Sequence, residues 1–251
     1  MTTLRKIPSI SRFAPRLLLC RAQNLAIAGV ERLANLRTHY CPCCGWSGLY
    51  FRSFAVMEYV RNNVICPGCG SFERHRALAF FYPKFFSTLP RRPERILHFA
   101  PEPALRPCIE PLCDSYERSA IAGVAVEHHL DLTNLDLPAN SYDVILLNHV
   151  LDCMPDDLTA IGEMYRVLRP FGVVVAVASY EPGSFTREFP PASNTRYRVY
   201  GSKDLAQHFA PFSATVLNVA ADLPTEDRQR FGIPQIVWAL ILRKHAEVAS
   251  V

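Results

Sequence analysis

Residues 141–172, SYDVILLNHVLDCMPDDLTAIGEMYRVLRPFG, constrain the fold more than any other part of the chain. Val144-Ile145-Leu146-Leu147 is a short apolar run just after Asp143. Its length and branching suit a strand buried on both faces of a parallel sheet. Asn148 and His149 then bring polar groups to the strand's carboxyl end, the edge where open α/β sheets bind ligands. Asp156 and Asp157 open a helix whose dipole favours acids in its first turn. Leu158, Ile161, Tyr165 and Leu168 recur at helical spacing and predict its buried face. Arg166 and Arg169 fall in the last turn, Pro170-Phe171-Gly172 stops the helix, and a strand runs from Val173 to Val177. Strand, helix and strand within about 35 residues make a βαβ crossover. That implies a parallel sheet with helices on its faces.

The flanking pattern continues this architecture. Arg95-Ile96-Leu97-His98-Phe99 reads as a strand with Ala100-Pro101-Glu102-Pro103 as its carboxyl-end loop. A helix over 104–113 follows, with Pro107 early in it, and then strands over 115–121 and 124–130. Asp131 opens a loop over 131–138. Residues 180–201 are rich in Pro, Gly, Ser, Thr and Arg and read as a long functional loop, of the kind that covers a substrate. A short helix is expected over 202–209. Strands over 214–219 and 236–242 are expected to pair antiparallel, because 220–234 is too polar and broken for a crossover helix.

Upstream lies YCPCCGWSGLYFRSFAVMEYVRNNVICPGCGSFERHR, residues 40–76. Cys41 and Cys44 form one C-x2-C pair and Cys66 and Cys69 another, with 21 residues between the pairs. That spacing matches a zinc ribbon. Zn²⁺ takes four tetrahedral ligands, and a two-residue gap lets one tight turn supply two thiolates. Gly45 and Gly70 follow each pair, where the turn needs a residue without a Cβ. Cys43 lies too close to Cys44 to share the geometry and reads as a non-ligand. The alternative is four incidental core cysteines. Nine cysteines, five of them in these two clusters, favour metal ligation in a reducing, cytoplasmic setting over a disulfide framework. Ser71 is placed to cap the helix that follows, which Pro83 ends or kinks. Glu73, Arg74, His75 and Arg76 crowd its first turns, either as a solvated face or as a cluster facing a cleft or an anionic substrate.

The first 40 residues hold seven basic side chains against Glu31 alone, so they carry +6 and the remainder −2 of the net +4. The body is therefore no general nucleic-acid binder on charge grounds. A helix over 16–37 would bring Leu18, Ala22, Leu25, Leu33 and Leu36 to one side. Three readings stay open: a helix packed on the rest of the protein, a basic helix lying on a membrane surface, and an organelle transit peptide. No apolar run approaches the roughly 20 residues of a membrane span.

The segments CPCCGWSG, CPGCGSFERHRAL, ILHFAPEPAL, Asp131-Leu132-Thr133, SYDVILLNHVLDCMPDD, EMYRVLRPFG, RYRVYGSKDL and VWALILRK together resemble the SAM-dependent methyltransferases. More narrowly, they resemble type-11 methyltransferase domain proteins with an amino-terminal four-cysteine zinc ribbon. The resemblance covers roughly residues 40–244. It implies an α/β fold with a Rossmann-like, seven-stranded, mostly parallel sheet and helices on both faces, plus the small zinc module. The implied layout is a basic segment (1–39), a zinc ribbon (40–76), a connecting helix and linker (77–94), a methyltransferase domain (95–245) and a tail (246–251). The implied cofactors are S-adenosyl-L-methionine and a structural Zn²⁺, and the implied acceptor is a small molecule or surface polymer. The first loop, His98 to Glu102 with Ala100 and Pro101, is expected beside the cofactor's methionine part. Ala120 falls at the ribose position, Asp131 with Leu132 at the adenine, and Asn148 and His149 beside the reactive centre. His149 is the candidate catalytic base; structurally it could equally be a hydrogen-bonded strand end. For Glu102 the alternative is a helix cap, and for Asp131 a turn cap. Three departures stand out. Ala100-Pro101-Glu102 replaces a glycine-rich loop, Ala120 replaces an acid, and His149-Val150-Leu151-Asp152-Cys153 stands for the H-V-L-E-H pattern. These departures keep a degenerate fold used as a binding or scaffold protein in play. An RNA-base methyltransferase, using the basic arm and Arg74–Arg76, is the other alternative.

Overall fold

The computed structural model describes residues 14–34, 37–55, 60–121, 125–190 and 196–245. In chain order the elements begin with α1 (Ala14–Ala34), β1 (His39–Tyr40), β2 (Ser47–Gly48), β3 (Arg52–Ala55), β4 (Val60–Ile65), α2 (Glu73–Phe86) and β5 (Arg95–Phe99). There follow α3 (Arg106–Ile109), β6 (Ser115–Ser119), β7 (Tyr142–Asn148), α4 (Asp157–Val167) and β8 (Leu168–Val177). The chain ends with β9 (Tyr180–Glu181), β10 (Arg187–Glu188), β11 (Arg198–Gly201), α5 (Leu205–His208), β12 (Ser213–Asn218), α6 (Thr225–Phe231) and β13 (Trp238–Arg243). Two compact units form. One comprises residues 1–77 with 223–234, and the other 78–222 with 235–251. The stretch 223–234 thus joins the amino-terminal unit, although it falls inside the block 95–245 that was expected to fold together.

The first unit is built from two antiparallel hairpins, β1–β2 and β3–β4. Helix α1 packs on β3 through Cys20 and Asn24. Asn24 Oδ1 accepts from the Ser53 amide at 2.8 Å, and Cys20 Sγ reaches the Ser53 carbonyl at 3.1 Å. This corrects the expected apolar face: Leu18 is 63% and Leu25 74% exposed, and Leu36 lies outside the described residues. Among the described residues, no helix is long and apolar enough to cross a membrane. Arg76 is fully buried, contrary to a solvated or cleft-facing role. Its guanidinium donates to the carbonyls of Val64, Ser71, Phe231 and Gly232 and stacks 3.8 Å over the Phe51 ring. Four carbonyl acceptors offset the desolvation of the cation. Gly232 ends α6 at φ +57, and a Cβ there would sit 2.7 Å from the Phe51 ring.

In the second unit the sheet order is β12-β13-β8-β7-β5-β6. Strands β6, β5, β7 and β8 run parallel, and β13 and β12 close the sheet antiparallel, as the broken link predicted. The fold is therefore Rossmann-like α/β with a mostly parallel sheet. Among the described residues it has six strands rather than the expected seven. Among the described residues, the expected third strand makes a single bridge, Ser119 to His128. Glu127 and His128 are drawn back instead onto Arg118 and Glu117, at 2.7 Å each.

Every residue of β7 is buried, as its unbroken apolar run requires. At its start Asp143 accepts from Arg91, Arg169 and the amides of Glu94 and Arg95, which pins the amino edge of the sheet. Asp156 caps α4 through the Thr159 amide at 3.0 Å. The buried face of α4 is Asp157, Ala160, Ile161, Met164 and Val167, and Leu158 is 61% exposed. The helix ends at Val167, so Leu168 and Arg169 belong to β8 rather than to its last turn. The helix expected over 104–113 is broken into three short turns, because Pro107 and Pro111 interrupt its hydrogen bonding. Residues 180–201, read as a loop, contain a small sheet in the order β10-β11-β9. It is tied down by the buried Asp157, which accepts from the Tyr200 hydroxyl at 2.7 Å and lies 3.2 Å from Arg198 Nη1.

Candidate functional site

The chain passes from β5 to β6 on one side and returns to β7 on the other. The carboxyl ends of β5 and β7 therefore flank a topological switch point, the crevice where open sheets hold ligands. Both strands leave this edge through a non-glycine residue at positive φ: Ala100 at +47 and His149 at +54. Such backbone costs about 1–3 kcal/mol and collects at functional sites. The Ala100 amide donates to the Ser119 carbonyl at 2.8 Å, which fixes the turn.

Below this edge lies a buried polar group. His98, fully buried, has Nδ1 2.7 Å from the Tyr116 hydroxyl and Nε2 3.2 Å from Glu102 Oε2. Asn148 Nδ2 donates to the same Glu102 oxygen at 2.9 Å. Glu102 precedes the first turn after β5 but makes no side-chain cap bond there. Tyr82 reaches the group from α2. Burial pushes its hydroxyl well above the ordinary tyrosine range, and the Glu102 charge adds to this. Among the described residues, neither Tyr82 Oη nor Asn148 Oδ1 completes a hydrogen bond. Buried polar atoms normally do. A carboxylate beside two such oxygens suits a cationic group such as an ammonium.

His149 stands next to this group at the end of β7. Its Nδ1 is 3.3 Å from Asp152 Oδ2, and its side chain is 34% exposed. Asp152 is fully buried, and its Oδ2 also accepts from the Ser179 amide at 3.0 Å and the Ser179 hydroxyl at 2.7 Å. Burial alone would push this carboxyl up, but hydrogen bonds from His149 and Ser179 outweigh it and hold it below the ordinary aspartate value. In the sequence Asp152 stands only as the acid of the H-V-L-E-H position; its spacing of three from His149 is the signal that points to the pair. Close by, a hollow of about 370 Å³ is lined by Phe189, Tyr197 and Arg198 among others. The Tyr197 amide donates to the Asp152 carbonyl at 2.8 Å.

The stretch expected beside a nucleoside is less furnished. Ala120 is held by its backbone alone, the amide to the His128 carbonyl and the carbonyl to His129 Nδ1. The nearby carboxylate, Glu117, is spent on Arg95, Tyr142 and His128. Asp131 is exposed, and its Oδ1 accepts from both the amide and the hydroxyl of Thr133 in a turn cap. Leu132 is buried in the core. The structure thus brings His98, Glu102, Asn148 and His149 together. It leaves Ala120 held by backbone bonds, Asp131 in a turn cap and Leu132 in the core.

In the first unit, Cys41, Cys44, Cys66 and Cys69 converge, with all four Sγ atoms within 4.8 Å of one another. Cys41–Cys69 and Cys44–Cys66 are both 3.7 Å apart, against about 3.8 Å for thiolates at tetrahedral zinc. The two turns are alike. Gly45 and Gly70 donate back to Cys41 and Cys66, at φ +74 and +73. Cys43 is not one of the four, and its thiol lies 3.7 Å from the His75 carbonyl. Metal-free, the thiols would split: hydrogen bonds, first from Cys43 and then from Cys66, hold Cys41 low, while burial pushes Cys44 up to about 11. A dication lets all four ionise. The donor set therefore fits a closed, structural site.

Comparison with known proteins adds to this geometry. Residues 112–176 match the family described as "Methyltransferase domain". Over 54 residues the chain is 41% identical to a demethylmenaquinone methyltransferase of Staphylococcus epidermidis, a match covering 22% of each chain. It is 35% identical to the Geobacillus sp. protein of that name over the same length, 22% of this chain and 23% of the relative. The chain thus spans about a fifth of the curated relatives it matches. Among solved structures, the YcgJ protein of Bacillus subtilis is 14% identical at a TM-score of 0.46, covering 68% of this chain and 99% of its own. A Burkholderia thailandensis 1,6-didemethyltoxoflavin-N1-methyltransferase, solved with S-adenosylhomocysteine bound, is 16% identical at 0.48, covering 69% of this chain and 78% of its own.

Proposed function

We propose that this protein is a SAM-dependent methyltransferase acting on a small-molecule or surface-polymer acceptor, with a structural zinc in its first unit. One observation carries the reading: a switch-point crevice bounded by Glu102–Asn148 and His149–Asp152, with the second pair inside the segment that matches a methyltransferase domain. The cofactor supplies a methyl group already activated by its sulfonium. The protein's task is alignment and proton handling. Glu102, with Asn148 Oδ1 and Tyr82 Oη, would hold the cofactor's ammonium. The loop from Ala100 would lie along its methionine part, and His149 would face the acceptor.

Titration calorimetry with SAM and S-adenosylhomocysteine tests the reading. Binding of either supports it, and no heat with either at millimolar ligand contradicts it. A second reading, a degenerate fold that binds without catalysing, is favoured by one observation. Ala120 presents no carboxylate to ribose hydroxyls, and Glu117 is already committed. The RNA-base alternative loses support, because the Arg76 guanidinium is buried and saturated by carbonyls.

A further inference from the structure

Asp152 has features that a loop anchor alone does not require. It is fully buried, it sits three residues after a histidine at the ligand edge, and it directs one oxygen at both that histidine and Ser179. The charged and polar groups facing it are His149, Ser179, Cys153 and Arg196, whose Nε is 3.9 Å from Oδ2. An ionised carboxylate only accepts hydrogen bonds. The imidazole nitrogen turned toward it must therefore be the one that carries hydrogen. The other, Nε2, then keeps its lone pair, on a ring whose side chain is one-third exposed. His149 stands at positive φ just past the last residue of β7.

We infer that Asp152 is a positioning residue that fixes His149 in the Nδ1-protonated tautomer, so that Nε2 accepts a proton from a weakly acidic hydroxyl acceptor during methyl transfer. The inference rests on the methyltransferase reading above. As the acceptor oxygen bonds to the methyl carbon, the carbon–sulfur bond of the sulfonium donor breaks and its electron pair stays on sulfur as a thioether. The hydroxyl proton passes to Nε2. A thiolate or a free amine needs no such base, so the arrangement favours a hydroxyl acceptor.

The test uses the full chain labelled with ¹⁵N-histidine. Nitrogen NMR at alkaline pH, with His149→Gln to assign the resonance among eight histidines, reports the tautomer without any acceptor. Nδ1 protonated and Nε2 bare is the expected result. Diethyl pyrocarbonate, read by peptide mass spectrometry, probes Nε2 directly. Its rate at His149 should fall about tenfold in Asp152→Asn, as for loss of an orienting partner elsewhere, and Asp152→Glu should retain most of it. An Nε2-protonated ring in the unaltered protein overturns the inference, and needs no variant to fold. So does an Asp152→Asn protein with unchanged tautomer and rate. S-adenosylhomocysteine binding together with an Nε2-protonated ring removes the inference alone. Absence of that binding removes it along with the reading beneath it.

Discussion

Glu117, in the middle of β6, is an acid whose purpose shows only in its partners. Its carboxylate accepts from Arg95, Tyr142 and His128, partners drawn from three separate stretches. Burial pushes its pKa up, yet hydrogen bonds from Tyr142, His128 and Arg95 overcome this and bring it down to about 2. A carboxyl depressed in the folded state stabilises above its unfolded value, near 4.3, and that stabilisation is lost as pH falls toward 2. Glu117→Gln should therefore cost on the order of 2 kcal/mol at pH 7 and flatten the acid limb of stability between about pH 4.3 and 2, read by urea denaturation. An acid limb identical to that of the unaltered protein would contradict the assignment. Asp157 teaches the same lesson. Its position fitted a solvated first-turn acid, but Tyr200, Arg198 and His208 meet it in the interior. Both roles depend on residues remote in sequence, which a local pattern does not register.

At the scale of elements, short-range rules worked where burial was continuous. The apolar run of β7, the Asp156 cap and the paired cysteine turns all lie where their chemistry places them. Rules failed where tertiary pairing overrode pattern. The stretch before Asp131 has strand composition but, among the described residues, makes one bridge to β6, and α1 packs by Cys20 and Asn24 while Leu18 and Leu25 are exposed. In the first unit, α6 is held to the cysteine hairpins by Arg76, and two predictions follow from that clamp. Gly232→Ala forces an L-residue to φ +57 with its Cβ 2.7 Å from the Phe51 ring. It should destabilise the unit by about 1–3 kcal/mol in denaturant titration, and an unchanged midpoint would refute the close approach. Burial lowers the Arg76 pKa, and the neighbouring Cys41, Glu73, Cys43 and Cys66 oppose this. Elemental analysis should find one zinc per chain. Chelation should speed amide exchange over 223–234, because losing the bound thiolates leaves Arg76 a poorly compensated buried charge. Exchange there that ignores chelation would uncouple the clamp from the metal.

Across the whole molecule, the α/β class and the antiparallel close of the sheet were readable from periodicity and link composition. The partition of the chain was not. Nothing in the polar stretch 223–234 announces that it folds with residues 1–77. For the candidate site, Asn148 and His149 were legible as polar residues ending a buried strand. Tyr82, Tyr116 and Asp152 were not, since each matters only through a partner that the fold supplies. The central claim is that a methyl-donor cofactor occupies the crevice between the ends of β5 and β7. Hydrogen–deuterium exchange of the full chain with and without S-adenosylhomocysteine tests this most directly. The account predicts slowed exchange over residues 98–105 and 148–153. Unchanged exchange in both segments at saturating ligand would contradict it.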